Sequence, residues 1–340
     1  MRSRVLSLVL AVGLAAVVTA SVGCAGPTDA ARPAPTTAAG TAISTAPVSV
    51  DATQSAPDTP TVFAMIGDYG WDSASERAVA KLVASWHPAF VIADGDDYYA
   101  HAGGTGTGTY DESTGAYYGK WLRDITATGH RLRLGPAPVN AFFPALGNHD
   151  YTDAKLSNYL KYFRLPGSGF TNSSGNERYY DFVEGPVHFF VVNSNKQEPA
   201  GTSKTSKQAL WLKAQLASST SPWNIVYDHH PPYSSDSTHG SSGYMQWPFA
   251  AWGADVVISG HAHVYERVIR NGITYFVNGL GGAPRYNFKK THVGGSKVRY
   301  RANWGAQMVT VTTATLDFDF RSVGGRHVDH YELDAVPASQ

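Results

Sequence analysis

The sequence predicts an α/β domain in the region after residue 60, and three observations lead to that class. Apolar runs at 61–66 and 90–93 have the length of buried strands, and the residues between them repeat with helical spacing. The region contains no cysteine, so its stability must come from an apolar core, which its aromatic, Val and Ile residues can form. Polar residues follow these runs directly, as they do where parallel strands present ligands at their carboxyl ends.

The first 60 residues differ from the remainder in composition. Two arginines precede an uncharged stretch, residues 5–23, whose small residues at the end favour a secretory signal over a membrane-spanning helix. The only cysteine, Cys24, follows in a context similar to a bacterial lipoprotein cleavage box, although Ser21 stands where leucine is usual. Cleavage after Ala20 by ordinary signal peptidase is the alternative. We therefore expect an exported protein, either held at the outer face of the cell membrane by a lipid on Cys24 or secreted.

Three segments are predicted from this composition. Residues 1–23 are the signal peptide, residues 24–60 are a disordered tether rich in Ala, Thr, Pro and Ser, and residues 61–335 are one large folded α/β domain. The chain carries 27 basic and 27 acidic residues, so no overall electrostatic field favours binding to nucleic acid. The oligomeric state is left open.

The first elements of the domain form a βαβ unit. After the strand at 61–66, Ser73 and Glu76 form a capping-box pattern that begins a helix extending to Trp86, and the strand at 90–93 follows. A βαβ unit implies parallel strands, with ligands outside their carboxyl ends.

The remaining elements are predicted by the same rules of hydrophobic spacing and turn chemistry. In order, we expect a surface loop at 103–109, a helix at 117–125, a strand at 141–146, a helix at 155–163, a hairpin at 178–193, a helix at 206–216 and a strand at 223–227. A strand at 256–258 precedes a second hairpin, whose Asn271-Gly272 turn is the strongest short hairpin signal in the chain. An alternating strand at 308–320 and a closing strand at 328–333 complete the prediction.

Two histidines, His261 and His263, follow the apolar run at 256–258 and the strand-breaking Gly260. Residues two apart in an extended chain point to one side, so both imidazoles are expected on the same side of the strand end. They could each hold a different ion of a metal pair, or both could hold one ion. Imidazole suits zinc, iron and manganese.

Polar side chains follow five strand ends of the predicted domain, where a core would exclude charge. They are Asp68, Asp96 with Tyr99, Asn148 with His149, His229, and His261 with His263. Carboxylates brought together without cations repel one another and take up protons, whereas a pair of cations removes that penalty. Asp96 is the expected bridge, because its two oxygens can serve two ions. The pattern therefore predicts a two-metal site.

The same series of motifs resembles that of the calcineurin-like metallophosphoesterases. It comprises Asp68-x-Gly70, Gly95-Asp96-x-x-Tyr99, Gly147-Asn148-His149-Asp150, Val226-x-x-His229 and Gly260-His261-x-His263. The tyrosine makes the series similar to the purple acid phosphatase branch, and the further matches are Gln208-x-x-Trp211-Leu212, His239-Gly240 and Val264-Tyr265-Glu266-Arg267. The resemblance covers residues 61 to 285 in order. One departure is a second histidine after His229, so the register depends on the Val226 spacing.

This resemblance implies a four-layer α/β/β/α sandwich of two mixed β-sheets flanked by helices. It also implies two metal ions, one held by Asp68, Asp96, Tyr99 and His263 and the other by Asp96, Asn148, His229 and His261. Three anionic oxygens suit Fe(III) at the Tyr99 site, whereas an amide and two imidazoles suit divalent Fe, Zn or Mn at the Asn148 site.

The implied activity is that of an acid phosphatase-like enzyme, which hydrolyses small phosphate monoesters by attack of a metal-bound hydroxide. His149 and His239 lie outside both ligand sets, and the resemblance implies that they contact the phosphate and protonate the leaving group. Asp150 is expected either to orient His149 or to cap a helix. Two alternatives stay open: a phosphodiesterase or nucleotide hydrolase with the same metal pair, and an inactive surface lipoprotein that binds phosphate.

Six basic residues and no acidic residue lie between positions 285 and 301. They are Arg285, Lys289, Lys290, Lys297, Arg299 and Arg301. A charge run of this kind is usually a solvated loop. The alternative is that the run steers an anionic substrate or binds a polyanion, since it follows the last metal motif closely.

Overall fold

Two β-sheets packed face to face form the centre of the protein in its computed structural model. The structure describes residues 59–99, 110–125, 135, 137–152 and 156–335. The predicted signal peptide, nearly all of the predicted tether and the predicted Gly/Thr-rich loop lie outside the described residues, as does Cys24. No described helix is long and apolar enough to cross a membrane.

Thirteen strands and five α-helices make up the described part of the chain. The strands are β1 (Thr61–Ile66), β2 (Phe90–Ala93), β3 (Phe142–Pro144), β4 (Tyr180–Glu184), β5 (Val187–Val191), β6 (Trp223–Tyr227), β7 (Val256–Ser259), β8 (Tyr265–Arg270), β9 (Ile273–Asn278), β10 (Ser296–Tyr300), β11 (Gly305–Val311), β12 (Thr315–Ser322) and β13 (His327–Asp334). The helices are α1 (Ala74–Ser85), α2 (Ala116–Tyr118), α3 (Ser157–Tyr162), α4 (Lys207–Ser218) and α5 (Phe249–Trp252).

Both sheets are mixed. The first has the strand order β13-β12-β11-β1-β2-β3, in which β1, β2 and β3 are parallel and the other neighbours are antiparallel. The second has the order β10-β8-β9-β7-β6-β5-β4, in which β5, β6, β7 and β9 are parallel. Each sheet therefore contributes a set of parallel strands whose carboxyl ends can carry a site.

An aromatic core fills the space between the sheets, and it forms because the central strands are apolar on both faces. Phe189 of β5 packs edge-on against Phe63 of β1, with 5.3 Å between ring centroids. Tyr265 of β8 stacks on Phe320 of β12 at 4.0 Å. Each fully buried large apolar side chain of this kind stabilises the fold by about 1.5–3 kcal/mol.

Helices cover the outer faces of the two sheets. Phe190, the next residue of β5, belongs to a second core with Leu212 and Leu216 of α4. Val79 and Val83 of α1 pack into the first core, and α1 contacts β11 of the first sheet. The layers therefore run α/β/β/α, and the predicted four-layer sandwich is confirmed.

The helix predicted at 117–125 is wrong in position. A π-helical turn spans Asp111–Gly115 and continues into α2, which ends at Tyr118. The cause is a set of buried polar contacts that hydrophobic spacing does not reveal. Ser113 Oγ, for example, donates to the carbonyl of Asp97 at 2.8 Å.

Two strands also differ from their prediction. The predicted strand at 308–320 is a hairpin of β11 and β12, whose turn is closed by Thr312. Its Oγ1 accepts from the N–H of Thr315 at 2.9 Å, and a threonine turn lacks the Gly or Asn signal that marks most hairpins. Part of the basic run, expected as a solvated loop, forms the edge strand β10, which pairs with β8.

Candidate metal centre

The polar side chains predicted at five strand ends come together at one edge of the two sheets, beyond β1, β2, β3, β6 and β7. Three of these residues have left-handed backbone conformations, with φ of 53° at Asp68, 55° at Asp96 and 65° at His261. This conformation costs about 1–2 kcal/mol for a residue other than glycine, although Asp and His adopt it more often than most. Such strain is typical of functional sites, where it sets the direction of a side chain.

Asp68, Tyr99 and His263 form the first group of potential ligands, and all three are buried. The Tyr99 hydroxyl donates to Asp68 Oδ1 at 3.2 Å and lies 3.2 Å from His263 Nε2. His263 Nε2 lies 3.3 Å from Asp68 Oδ1. Ligand atoms of Asp68, Asp96 and His263 all lie within 4.8 Å of one another, so these residues could share one ion.

Asn148, His229 and His261 form the second group. His229 Nε2 lies 3.1 Å from Asn148 Oδ1 and 3.2 Å from His261 Nδ1. The same Nε2 atom lies 3.4 Å from Asp96 Oδ1. Asp96 therefore lies next to both groups, which is the position that a bridging carboxylate would need.

Two motif glycines allow the backbone to approach the carboxylates closely. A Cβ atom on Gly147 would stand 2.1 Å from Asp96 Oδ1, and one on Gly260 would stand 2.7 Å from Asp68 Oδ2. Neither distance admits a side chain, so larger residues at these positions would displace the carboxylates. The close approach also lets the N–H of His261 donate to Asp68 Oδ2 at 2.7 Å.

The two histidines of the Gly-His-x-His motif contact different ligand groups. His261 Nδ1 approaches His229, whereas His263 Nε2 approaches Asp68. The chain is not extended here, because His261 has a left-handed conformation, so the two-residue spacing alone does not fix the directions of the imidazoles. Of the two arrangements left open by the sequence, one histidine for each group is the one observed.

Backbone carbonyls hold the imidazoles of His229 and His263 by the nitrogen that faces away from the centre. His229 Nδ1 lies 2.9 Å from the carbonyl of Asp94, and His263 Nδ1 lies 2.6 Å from that of Pro284. A carbonyl only accepts hydrogen bonds, so each Nδ1 carries a proton and each Nε2 is the atom directed at the centre. Metal-ligating histidines are oriented in this way.

The buried carboxylates stabilise the protonated, cationic forms of two neighbouring imidazoles, those of His229 and His263. Burial opposes a charged His229, but the Asp96 and Asp68 carboxylates and the Asp94 carbonyl together outweigh burial and raise the pKa of His229 to about 10. Burial likewise opposes a charged His263, while Asp68 raises its pKa above the usual range. Burial and the nearby His229 lower the pKa of His261, so its imidazole stays neutral. The centre attracts cations, and a metal ion can take the place of a proton there.

The donor atoms fit metal ions by distance and by charge. Two atoms bound to one ion at 2.0–2.2 Å in tetrahedral or octahedral geometry lie roughly 3.0–3.5 Å apart. The separations in the second group, from 3.1 to 3.4 Å, lie in that range, as do those of the first. Within the described residues, the ion-pair partners of Asp68 and Asp96 are histidines, and neither carboxylate pairs with Lys or Arg. Buried carboxylates without such partners need a cation.

The motifs contain two pairs of adjacent identical residues, Tyr98-Tyr99 and His229-His230, and only one member of each pair belongs to a ligand group. Tyr99 belongs to the first ligand group, whereas the ring of Tyr98 packs against Tyr110 at 5.5 Å. His229 belongs to the second group, whereas His230 lines the cavity beside it. The structure therefore places Tyr99 and His229 in the positions that the motif spacing predicts.

One further histidine lies beside each ligand group. The ring of His149 lies 4.2 Å from that of Tyr99, and the ring of His239 lies 4.0 Å from that of His261. His239 is exposed on the side of the cavity, and partial burial lowers its pKa. Both imidazoles are placed where they could contact a ligand of the centre.

Asp150 binds groups other than the imidazole of His149. Its Oδ2 accepts from the N–H of Gly147 at 2.7 Å, and its Oδ1 accepts from the Tyr110 hydroxyl at 3.0 Å. Burial, with the nearby Asp96 carboxylate, raises its pKa to about 7. The expectation that Asp150 orients His149 is therefore wrong, and it caps the turn at Gly147 instead.

An open cavity of about 400 Å³ lies over the second ligand group. Its walls include Asn148, His239 and His261, together with Asn195, Lys196 and Tyr244, which went unrecognised in the sequence. Asn195 and Lys196 come shortly after the end of β5, so the rule that identified the other strand ends would have found them. The Lys196 ammonium lies 5.3 Å from the centre of the Tyr244 ring.

Two other motif residues hold the loops that carry this cavity. The Gln208 side chain accepts from the N–H of Asn193 at 2.7 Å and donates to its carbonyl at 3.0 Å. Glu266 accepts from the N–H and the hydroxyl of Ser235, at 2.7 and 2.6 Å, in the loop that leads to His239. Their role is to fix loop conformation rather than to bind a ligand.

Known proteins match the chain over most of the described region. A model of the calcineurin-like phosphoesterase family matches residues 61–265. Purple acid phosphatase 15 of Arabidopsis thaliana is 27% identical over an alignment of 259 residues that covers 66% of this chain and 45% of that protein. Fe(3+)-Zn(2+) purple acid phosphatase 12 of the same plant is 28% identical over an alignment of 248 residues that covers 67% of this chain and 48% of that protein. The chain thus spans about half the length of these relatives.

A solved structure supports the same fold. The purple acid phosphatase from yellow lupin (Lupinus luteus) seeds superimposes with a TM-score of 0.62 at 17% sequence identity. The match covers 82% of this chain and 54% of the lupin chain.

Proposed function

The chain belongs to the calcineurin-like phosphoesterase family, and we propose that it is a two-metal phosphatase of the purple acid phosphatase type that hydrolyses phosphate monoesters. The observation that carries this proposal is the pair of ligand groups on either side of Asp96, beneath an open cavity. Neither group alone would distinguish a phosphatase from a structural metal site. Two adjacent metal ions can stabilise both the attacking and the leaving oxygen of an in-line displacement at phosphorus.

Each ion is assigned by the chemistry of its donors. Asp68, Asp96, Tyr99 and His263 would hold Fe(III), and Asp96, Asn148, His229 and His261 would hold divalent Fe, Zn or Mn. Carboxylate and phenolate oxygens suit a trivalent ion, whereas an amide oxygen and two imidazoles suit a divalent one. The Fe(3+)-Zn(2+) name of the Arabidopsis relative supports this pairing. When bound, such ions acidify water and withdraw charge from phosphoryl oxygens.

The charge of the centre favours a phosphate ester as ligand. Two carboxylates and one phenolate offset only part of the charge of a trivalent and a divalent ion, so the loaded centre stays cationic. Lys196 adds a positive charge in the cavity wall. The ammonium group has three N–H donors for phosphoryl oxygens. The net positive charge of the loaded centre and Lys196 suits the dianion of a phosphate monoester.

The two remaining histidines would bind the ester and move its proton. His239 lies in the cavity wall beside His261, where an N–H of its ring can donate to the ester oxygen. His149 lies beside Tyr99, on the side of the first ligand group, and can contact the phosphoryl group from there. An alkoxide is a poor leaving group, so proton donation would contribute about 10²–10⁴-fold to the rate.

The proposal is tested with p-nitrophenyl phosphate and bis(p-nitrophenyl) phosphate as competing substrate classes. We expect the monoester to have the higher kcat/KM, because its second charge interacts with the cationic cavity. A clear preference for the diester would instead support a phosphodiesterase. Binding of inorganic phosphate without hydrolysis of either ester would support the inactive lipoprotein.

Residues 1–23 would direct export, and a lipid on Cys24 would hold the protein at the outer face of the cell membrane. The basic and apolar composition of the segment supports this proposal. Wild-type protein should partition into the detergent phase, whereas Cys24→Ser should stay uncleaved or lose this partitioning. If processing and location were the same in both proteins, ordinary secretion would be the correct interpretation.

A further inference from the structure

The loop between β9 and β10 forms one wall of the metal centre. The N–H of Ala283 donates to the carbonyl of Asp68 at 3.0 Å, and that of Tyr286 donates to the carbonyl of His263 at 3.0 Å. The Tyr286 ring also stacks on the imidazole of His263, with 4.1 Å between centroids and 9° between planes. The first part of the basic run is therefore fixed against the ligands.

A second cavity, of about 750 Å³, is lined in part by this loop. Its lining includes Pro284, whose carbonyl holds the imidazole of His263. Three arginines line it as well, Arg285 from the loop, Arg299 from β10 and Arg301 just beyond that strand. Arg299 and Arg301 are two residues apart along an extended segment, so they face the same side. The fold thus gathers half of the basic run around one cavity.

None of these three guanidinium groups pairs with a carboxylate of the described residues; the arginines that do so there are Arg178, Arg267 and Arg321. Their bonds go to neutral oxygens instead. Arg285 Nη1 donates to the carbonyls of Arg301 and Ala302, and Arg299 Nη1 donates to Ser296 Oγ at 2.7 Å.

The carboxylate that lies opposite Arg299 in the β8–β10 pairing, Glu266, already accepts hydrogen bonds from other residues. Its two oxygens accept from Ser235 and from Ser296 Oγ, the latter at 2.5 Å. The arginines therefore hold positive charge and unused N–H donors, since each guanidinium has five.

Two of the three aromatic residues that line the cavity, Trp304 and Tyr300, have a guanidinium group over the ring. The guanidinium of Arg285 lies over the ring of Trp304 at 4.3 Å, and that of Arg326 lies 5.8 Å from the ring of Tyr300. A nucleobase or other flat ligand would compete with these cations for the rings. An anionic group would instead accept hydrogen bonds from the unused guanidinium N–H groups, and phosphate matches the geometry of these donors well.

We propose that this arginine cavity is a subsite for a second phosphate group of the substrate. The inference rests on the proposed function, because it places the scissile phosphate at the metal centre and the second one in the arginine cavity beside Pro284. The substrate class is then a small molecule with two phosphate groups. Arg299 and Arg301, both exposed, are positioned to meet it.

The test compares alkanediol bisphosphates of increasing chain length with the matching alkyl monophosphates. These substrates carry no recognition group other than phosphate, and the best length reports the distance between the two sites. Wild-type protein should prefer one range of bisphosphates by kcat/KM. In Arg299→Gln/Arg301→Gln this preference should fall by about tenfold or more, chiefly through KM, as expected for lost charged hydrogen bonds.

Lys290→Gln/Lys297→Gln is the matched control. It removes two positive charges from the same run at exposed positions outside the cavity, and the preference for bisphosphates should persist. Equal losses in both double variants would show general electrostatic attraction and would overturn the subsite. Absence of any preference in the wild type would also overturn it.

Calorimetry separates failure of the subsite from failure of the proposed function. If wild-type protein hydrolysed no ester, the proposed phosphatase activity would be wrong, and binding of the bisphosphate probe would still test the cavity. About tenfold weaker binding in the arginine variant, with the lysine variant unchanged, would support the subsite. Equal affinity in all three proteins would contradict it.

Discussion

The phenol oxygen of Tyr99 lies 3.2 Å from His263 Nε2, and the same hydroxyl donates to Asp68 Oδ1. Burial raises the pKa of Tyr99 well above its usual range, and the Asp96 and Asp68 carboxylates raise it further. Such a phenol loses its proton only to a strong cation. A trivalent ion meets that requirement far better than a divalent one, so Tyr99 is the residue that distinguishes an iron site from a Zn or Mn site.

Replacing Tyr99 therefore tests the Fe(III) assignment. A phenolate bound to Fe(III) absorbs visible light, so the protein should be purple or pink and Tyr99→Phe should be colourless. Tyr98→Phe is the control and should keep the colour, because Tyr98 packs against Tyr110 instead. A visible spectrum of each protein gives the answer. A colourless and fully active wild-type protein that contains almost no iron would contradict the assignment.

The roles of His149 and His239 are tested with esters whose leaving groups differ in basicity. His149→Ala and His239→Ala should keep both metal ions but lose turnover, by about 10²–10⁴-fold on alkyl phosphates. The loss should be smaller on p-nitrophenyl phosphate, because nitrophenolate leaves without a proton. His292→Ala, at an exposed position outside the cavity, should behave as wild type. Equal losses on good and poor leaving groups would argue against proton donation.

The stability of the chelated protein should depend on pH through His229. Its pKa in the folded chain is about 10, against an ordinary value of 6.5. A group whose pKa is raised by folding stabilises the fold fully below its unfolded pKa and loses that contribution as the pH rises through the folded pKa. The Tm of chelated protein should thus fall between pH 6.5 and about 10.

His229→Gln serves as the control for this pH dependence. Its Tm after chelation should vary less across the same range, because glutamine does not titrate. Metal-loaded wild-type protein should also vary less, since metal ions replace the proton. If chelated wild type and His229→Gln showed the same pH dependence of Tm, another group would be responsible.

Most of the strand ends could be predicted because the physical signal is local. An apolar run followed at once by Asp, Asn or His, as at Asp68 and Asn148, has few explanations other than a buried strand that ends in a polar site. The parallel order of strands then brings such ends together. The rule did not identify Lys196 because the hairpin was predicted to extend to residue 193, whereas β5 ends at Val191.

Features that depend on backbone conformation or distant contacts could not be predicted in the same way. His261 has a positive φ, which no spacing pattern reveals. Asp150 caps the Gly147 turn through contacts that include Tyr110, 40 positions earlier in the sequence. The arginine cavity forms because Arg285 and Arg301 come together across a turn of the chain.

Metal content is the measurement that tests the central claim most directly. Elemental analysis of protein purified without added metal should find two ions in each chain, and Asp96→Ala should lose both or nearly both. Asn148→Ala should mainly lose the divalent ion. Asp97→Asn is the control, because Asp97 is a buried carboxyl next to Asp96 that belongs to neither ligand group, and this variant should keep both ions. Burial raises the pKa of Asp97, so the neutral amide of asparagine resembles its protonated form. We predict loss of phosphatase activity in parallel with loss of metal, and an Asp96→Ala protein with two ions and full activity would contradict the two-metal centre.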